Sequence, residues 1–265
     1  MDPNQIEAWK AFLPQSTIEY LLNPTAETIG QSLDGIATAL CWPLLKLRII
    51  QKNKLKQFAE EIRNKNDQIP VENRDSSKIG LAIKAIEEAR YQLNEDDVRQ
   101  MYVNLIASTV DNRKNSIVNP RLATVVSQFG IKEAKLMEEI YLPDNRSLPT
   151  SEIWAFAKDL RYNYKLSQRY VFIHNKPTLQ YHSSIDILKS LGVINATNKR
   201  KLTTGNSEQN YKIMKDIIQV SKDYKSMKDV LNENEYLEYM PSYITLTDFG
   251  RYLCQCVSHS AATRE

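Results

Sequence analysis

Apolar residues recur at helical spacing through Ser76–Val110, SSKIGLAIKAIEEARYQLNEDDVRQMYVNLIASTV. Ile79, Ala82, Ile83, Ile86 and Leu93 form one stripe; Val98, Met101, Tyr102, Leu105, Ile106, Thr109 and Val110 form a second. The spacing predicts two amphipathic helices joined at Asn94 and facing each other as an antiparallel pair. Ser76 or Ser77 is expected to cap the first. Asn94 is expected to accept amide hydrogen bonds at the start of the second, where Glu95, Asp96 and Asp97 suit the helix dipole. Asn104 is the polar exception inside the second stripe. A hydrogen bond to a loop in the core, or a pairing across a dimer, would account for it.

The same reading extends along the chain. Residues 3–24 hold Trp9, Phe12, Leu13, Ile18, Tyr20, Leu21 and Leu22, broken by Pro14 and Pro24, and suit short helices or an arm. Gly35–Leu45 carries no charge, and Pro43 ends or kinks its helix. The chain then turns basic at Lys46, Arg48, Lys52, Lys54 and Lys56. Two readings fit that junction. One is a core helix followed by a solvated amphipathic one whose lysine stems cover apolar surface. The other is an interfacial segment on an anionic membrane, with Trp42 at the boundary and Lys46, Arg48, Lys52, Lys54 and Lys56 on the headgroups. Further stripes predict helices from Pro120 (Leu122, Val125, Val126, Phe129) and over Ile131–Leu142.

Pro143–Pro149, PDNRSLP, is the best boundary signal, so a helical body over 1–143 is expected to precede a module over 150–258. In that module a helix capped by Thr150 or Ser151 is expected to carry Ile153, Trp154, Ala157 and Leu160. Ser183–Val193 reads as a helix with serine caps, stopped by Gly192. Ile194–Thr204 reads as a strand with a basic tip, Tyr211–Tyr239 as mostly charged and helical in tendency, and Tyr243–Leu246 as a short strand. Thr247 then caps a last helix.

Composition adds limits. The 265 residues are 42% apolar and 25% charged, values of a folded protein, and only seven are Gly, which favours helices. The net charge of +3 is mild but uneven: residues 144–201 hold 10 Lys and Arg against 4 Asp and Glu. Cys41, Cys254 and Cys256 suit a reducing cytosol rather than a disulfide framework. No signal peptide or membrane span is read.

Within Lys158–His182 aromatic and basic residues interleave. Arg161, Lys165 and Arg169, with Lys199, Arg200 and Lys201 at the strand tip, are the candidate nucleic-acid contacts: cations for phosphates, rings for unpaired bases. Core-edge packing of tyrosines is the plainer account. His174 and His182 could serve as acid and base in a nuclease, but no carboxylate cluster surrounds them. No phosphate loop, metal motif or nucleophile elbow is present, so no catalytic residue, metal ligand or cofactor is assigned.

The order of elements resembles a winged helix, carried by LKSLGVI and YITLTDFGRYL, with a long insert between the two strands. The fold class expected is therefore mainly α: a helical body with a C-terminal winged-helix-like α+β module. Longer pieces carry a second resemblance: TIGQSLDGIATALCWPLLKL, KNKLKQFAEEI, YVNLIASTVD, NPRLATVVSQFGIKEAKLMEEI and YITLTDFGRYLCQC. They resemble the abortive-infection alpha family of bacterial phage-resistance domains. The family often has His before the Pro at 120, where this chain has Asn119, so no role of such a His carries over. The resemblance implies phage defence without supplying a reaction. It leads to a cytoplasmic, non-enzymatic protein that senses a phage or host protein and acts at the membrane surface. A nucleic-acid-binding regulator is the alternative, and an oligomer is compatible with either.

Overall fold

The computed structural model describes Leu33, Ala37 and residues 52–142, 146–198, 200–203 and 206–258. Residues 3–24, Cys41, Trp42, Lys46, Arg48, Lys199 and His259 lie outside them. The chain forms two compact units. One runs to Ala134 and resumes at Tyr252; the other is Lys135–Arg251.

The first unit is helical: α1 (Lys52–Asp67), α2 (Ile79–Ala89), α3 (Asp96–Thr109) and α4 (Pro120–Val126). Of the two predicted stripes Ala82, Ile83, Ile86, Leu93, Val98, Met101, Tyr102, Leu105, Ile106, Thr109 and Val110 are buried, and Ile79 is half-buried. Burying those stripes on each other is the main stabilising term here. The caps differ from expectation. Lys78 and Glu95 precede α2 and α3 without a side-chain cap, and Ser77 instead bonds Asp75. Asn119 does cap α4, accepting from the Arg121 amide at 3.0 Å, with Pro120 in the first turn.

α1 lies along α3 through an ion network. Arg99, only 2% exposed, donates from Nε to Glu61 at 3.0 Å and also binds Asp96, which holds Lys54 at 2.6 Å. Asn104 belongs to a second network. Its Nδ2 donates to Val257 O at 2.9 Å, Ser108 Oγ lies 2.9 Å from Cys256 O, and Lys114 Nζ donates to Gln255 O at 3.0 Å. Three consecutive carbonyls left without helical partners at the end of the last helix thereby find donors.

The second unit is built on an antiparallel sheet in the order β4-β3-β1-β6-β5, with β2 also beside β1. Its strands are β1 (Ser147–Ala157), β2 (Asn163–Lys165), β3 (Tyr170–Ile173), β4 (Lys176–Thr178), β5 (Ile194–Ala196) and β6 (Glu235–Leu246). α5 (Ile131–Tyr141) leads into it. α6 (His182–Ser190) precedes β5, α7 (Ser207–Val220) and α8 (Lys222–Asp229) come between β5 and β6, and α9 (Asp248–Val257) follows.

Two expectations are corrected. Thr150–Leu160 is not a helix, because Ser147–Ala157 is the central strand β1. Its Ile, Trp and Phe favour a pleated surface, and Ile153, Ala155 and Ala157 are buried at alternate positions. The helical stretch assigned to Tyr211–Tyr239 ends at Asp229, and the short strand at Tyr243 is the end of a strand that starts at Glu235. Helix still predominates, so the mainly-α class holds coarsely.

Of the local signals elsewhere, the serine caps expected for Ser183–Val193 are not made: Tyr181 precedes α6 without a side-chain cap. Two others act as read. Gly192 ends α6 at φ 74, with Val193 N bonded to Leu188 O and Gly192 N to Lys189 O, a Schellman stop. Thr247 Oγ1 accepts from the Gly250 amide at 2.9 Å and caps α9.

Candidate functional site

Residues opposite one another in a ladder share a face of the sheet. One face carries Ile153, Tyr170, Phe172, Leu237 and Tyr239, and α7 and α8 cover it with Met214, Ile218 and Tyr224. The other face carries Glu152, Trp154 and Phe156 of β1, Asn163 and Lys165 of β2, and Tyr236, Glu238 and Met240 of β6. There Trp154, Phe156 and Met240 are half-buried, while Tyr236, Glu238, Asn163 and Lys165 are exposed. Phe156 and Tyr236 are stacked, with centroids 5.9 Å apart.

Glu152 is the electrostatic centre of this face. It is buried, and it faces Arg169 Nε at 3.3 Å, Lys165 Nζ at 3.6 Å and Trp154 Nε1 at 3.2 Å. Arg169 is committed further: Nη1 donates to Thr197 O at 2.9 Å and Nη2 to Asn198 Oδ1 at 2.6 Å. It therefore ties the entry to β3 to the segment beyond β5. A buried carboxylate with two cations is balanced, and the guanidinium fork supplies the directional bonds.

A second carboxylate, Glu235, sits at the end of β6. It accepts from Tyr162 at 3.0 Å, Tyr164 at 3.2 Å and the Asn232 amide at 3.0 Å. The Asn232 amide leads in holding its pKa below the usual carboxylate value, against desolvation. The bond to Glu235 raises the Tyr162 phenol, and desolvation first and then the same carboxylate raise Tyr164. The two rings stack with centroids 6.4 Å apart.

The sequence candidates are placed unevenly. Lys165 and Arg169 meet at Glu152. Arg161 is 84% exposed in the β1–β2 connection and pairs with Asp159 at 3.2 Å. Arg200 and Lys201 are exposed beyond β5. His174 occupies a two-residue turn with Asn175, both at positive φ, and lies 3.5 Å from Glu139. His182 Nδ1 lies 3.0 Å from Leu179 O. On α1, Lys52 and Lys56 are exposed, with Lys56 3.6 Å from Glu60, whereas Lys54 is occupied by Asp96.

Glu152, Phe156, Tyr236 and Glu238 were missed as site residues. Only the alternation within Ile153–Ala157 marked their strand, and their pairing partners are about 80 residues away in the chain. Among the described residues no group of three His, Cys, Asp or Glu could hold a metal ion, and no helix is long and apolar enough to cross a membrane.

The family model for abortive infection alpha matches residues 50–257. The chain belongs to the abortive infection alpha family. Its match runs through both units, from α1 to the end of α9. Membership assigns the protein to abortive infection, a defence of bacteria against phage. Neither a curated protein nor a solved structure matches the chain.

Proposed function

We propose that this abortive infection alpha protein is a cytoplasmic, non-enzymatic defence component that recognises a phage or host protein through the face of its C-terminal sheet that α7 and α8 leave uncovered. The observation that carries the reading is the stacked Phe156–Tyr236 pair beside half-buried Trp154, on a face that α7 and α8 leave uncovered. Aromatic side chains with an apolar body and a polar edge are the commonest anchors of protein interfaces. Bacteria expressing Tyr236→Ala or Phe156→Ser are expected to lose protection against phage while the protein keeps its melting temperature. Full protection by both variants would refute the reading.

After recognition, the protein acts at the anionic membrane surface through its N-terminal basic run, of which Lys52 and Lys56 are exposed on α1. Co-sedimentation with anionic vesicles at low salt tests this step, and no binding in the presence of phage extract would remove it.

A nucleic-acid regulator is the second reading. The specific support is Lys165 on the same face as the stacked rings, with Arg161 exposed nearby. A winged-helix-like use of α6, β5 and the end of β6 would add Arg200 and Lys201. Filter binding that falls with salt, and falls less steeply for Arg161→Glu or Lys165→Glu, is its expected result.

A further inference from the structure

We propose that the outer edge of β6 between Glu235 and Pro241 is a strand-addition site for an extended peptide segment with a basic residue at its centre. The inference rests on the recognition reading and names the partner's chemistry.

The peptide groups of β6 alternate in direction. Leu246 N donates to Arg146 O, and Lys158 N donates to Asn234 O, so even positions face β1. Thr197 N donates to Tyr243 O, so odd positions face β5. The β5 ladder covers only Ile244–Leu246, and Thr197 extends it to Tyr243. Beyond that point the peptide groups of Leu237 and Tyr239 face outwards, with no hydrogen bond to any described residue. Both ends of the open stretch are closed. The Glu235 amide already bonds Asn232 O at 2.9 Å, and Pro241 has no amide. Free amides and carbonyls on a strand edge are the template for β-augmentation.

The side chains choose the occupant. Glu238 is exposed, and no described residue forms an ion pair with it. Tyr236 and Met240 flank it two residues away on the same face. Because Glu238 turns its peptide groups to β1, an added strand would meet it in a non-hydrogen-bonded pair, the kind with the closest side chains. An arginine or lysine there reaches the carboxylate and lies along the Tyr236 ring. Residues two places either side meet Tyr236 and Met240 and are best apolar. A second copy of β6 paired about Glu238 would oppose two carboxylates, which disfavours it.

The test uses the full chain and a fluorescent capped nonapeptide, Ser-Thr-Val-Thr-Arg-Thr-Val-Thr-Ser, with a control bearing Glu in place of Arg. Anisotropy should show saturable binding of the arginine peptide and a preference over the control of about tenfold. Glu238→Arg should invert that preference. Leu237→Pro should abolish binding because it removes an outward amide, while Leu237→Ala, which loses the same packing under α7 and α8 but keeps that amide, should still bind. No saturable binding, or binding indifferent to charge at 238, overturns the proposal. A dimer that dissociates on Glu238→Arg without peptide binding assigns the edge to a second copy and overturns it too. If the peptide fails while Tyr236→Ala still abolishes protection, the recognition reading survives and strand addition falls. If both fail, both fall.

Discussion

Arg99 is the buried cation where α1 meets α3. Its guanidinium is buried and engages Glu61, Asp96 and the Leu93 carbonyl, the last at 3.0 Å. Burial opposes its charge, and the two carboxylates outweigh burial, so its pKa is raised. Arg99→Ala leaves Glu61 facing an empty site and should cost about 3 kcal/mol in urea unfolding. Arg99→Lys keeps the charge but loses the fork, and about half that loss is expected. Hydrogen bonds from Lys54 and then Arg99 hold Asp96 at a pKa of about 2, against an ordinary 3.8. A depressed carboxyl stabilises the fold above the ordinary value, and that contribution disappears as pH falls through the folded value. Stability should therefore decline between about pH 4 and 2, and Asp96→Asn should flatten that part of the acid unfolding curve.

At the scale of elements, close contacts override propensity. Alanine favours a helix over glycine by about 1 kcal/mol. Gly250 lies in α9, where a Cβ would collide with the Val193 carbonyl. Gly250→Ala should therefore destabilise by about 1–2 kcal/mol in thermal unfolding, the overpacking cost exceeding the helical gain. The end of α9 tests the opposite case, a missing partner. Asn104→Leu removes the donor to a buried carbonyl and should cost about 1–2 kcal/mol. Amide exchange should quicken first in Leu253–Val257, the turn whose carbonyls the network holds. The β1 strand has the same lesson for prediction. Ile153, Trp154, Ala157 and Leu160 satisfy a helical period, yet Ile153, Ala155 and Ala157 satisfy a period of two. Pairing with β6 along the whole strand selected the second.

For the molecule as a whole, the abortive-infection role follows from the family match, and the recognition reading proposed above looks for the trigger on the sheet face that α7 and α8 leave uncovered. Phage challenge of Tyr236→Ala, Lys165→Glu and Lys56→Glu should separate the routes. Loss with Tyr236→Ala alone points to protein recognition, loss with Lys165→Glu to nucleic acid, and loss with Lys56→Glu to the membrane surface.

What the chain revealed unaided was whatever its near neighbours settle. The two stripes of α2 and α3, Pro120 opening α4, the glycine stop at 192 and the Thr247 cap all depend on residues a turn or two apart. The family pieces were legible for the same reason, as contiguous text. Tertiary structure decided the rest, because its causes are distant. The β1–β6 ladder, the clamp of Glu152 on Lys165 and Arg169, and the three donors on the last turn of α9 join positions in different elements, from 13 to 153 residues apart. Such pairings are chosen by burial of a common core and by the need of each buried polar group for a partner, and neither can be read from one segment alone.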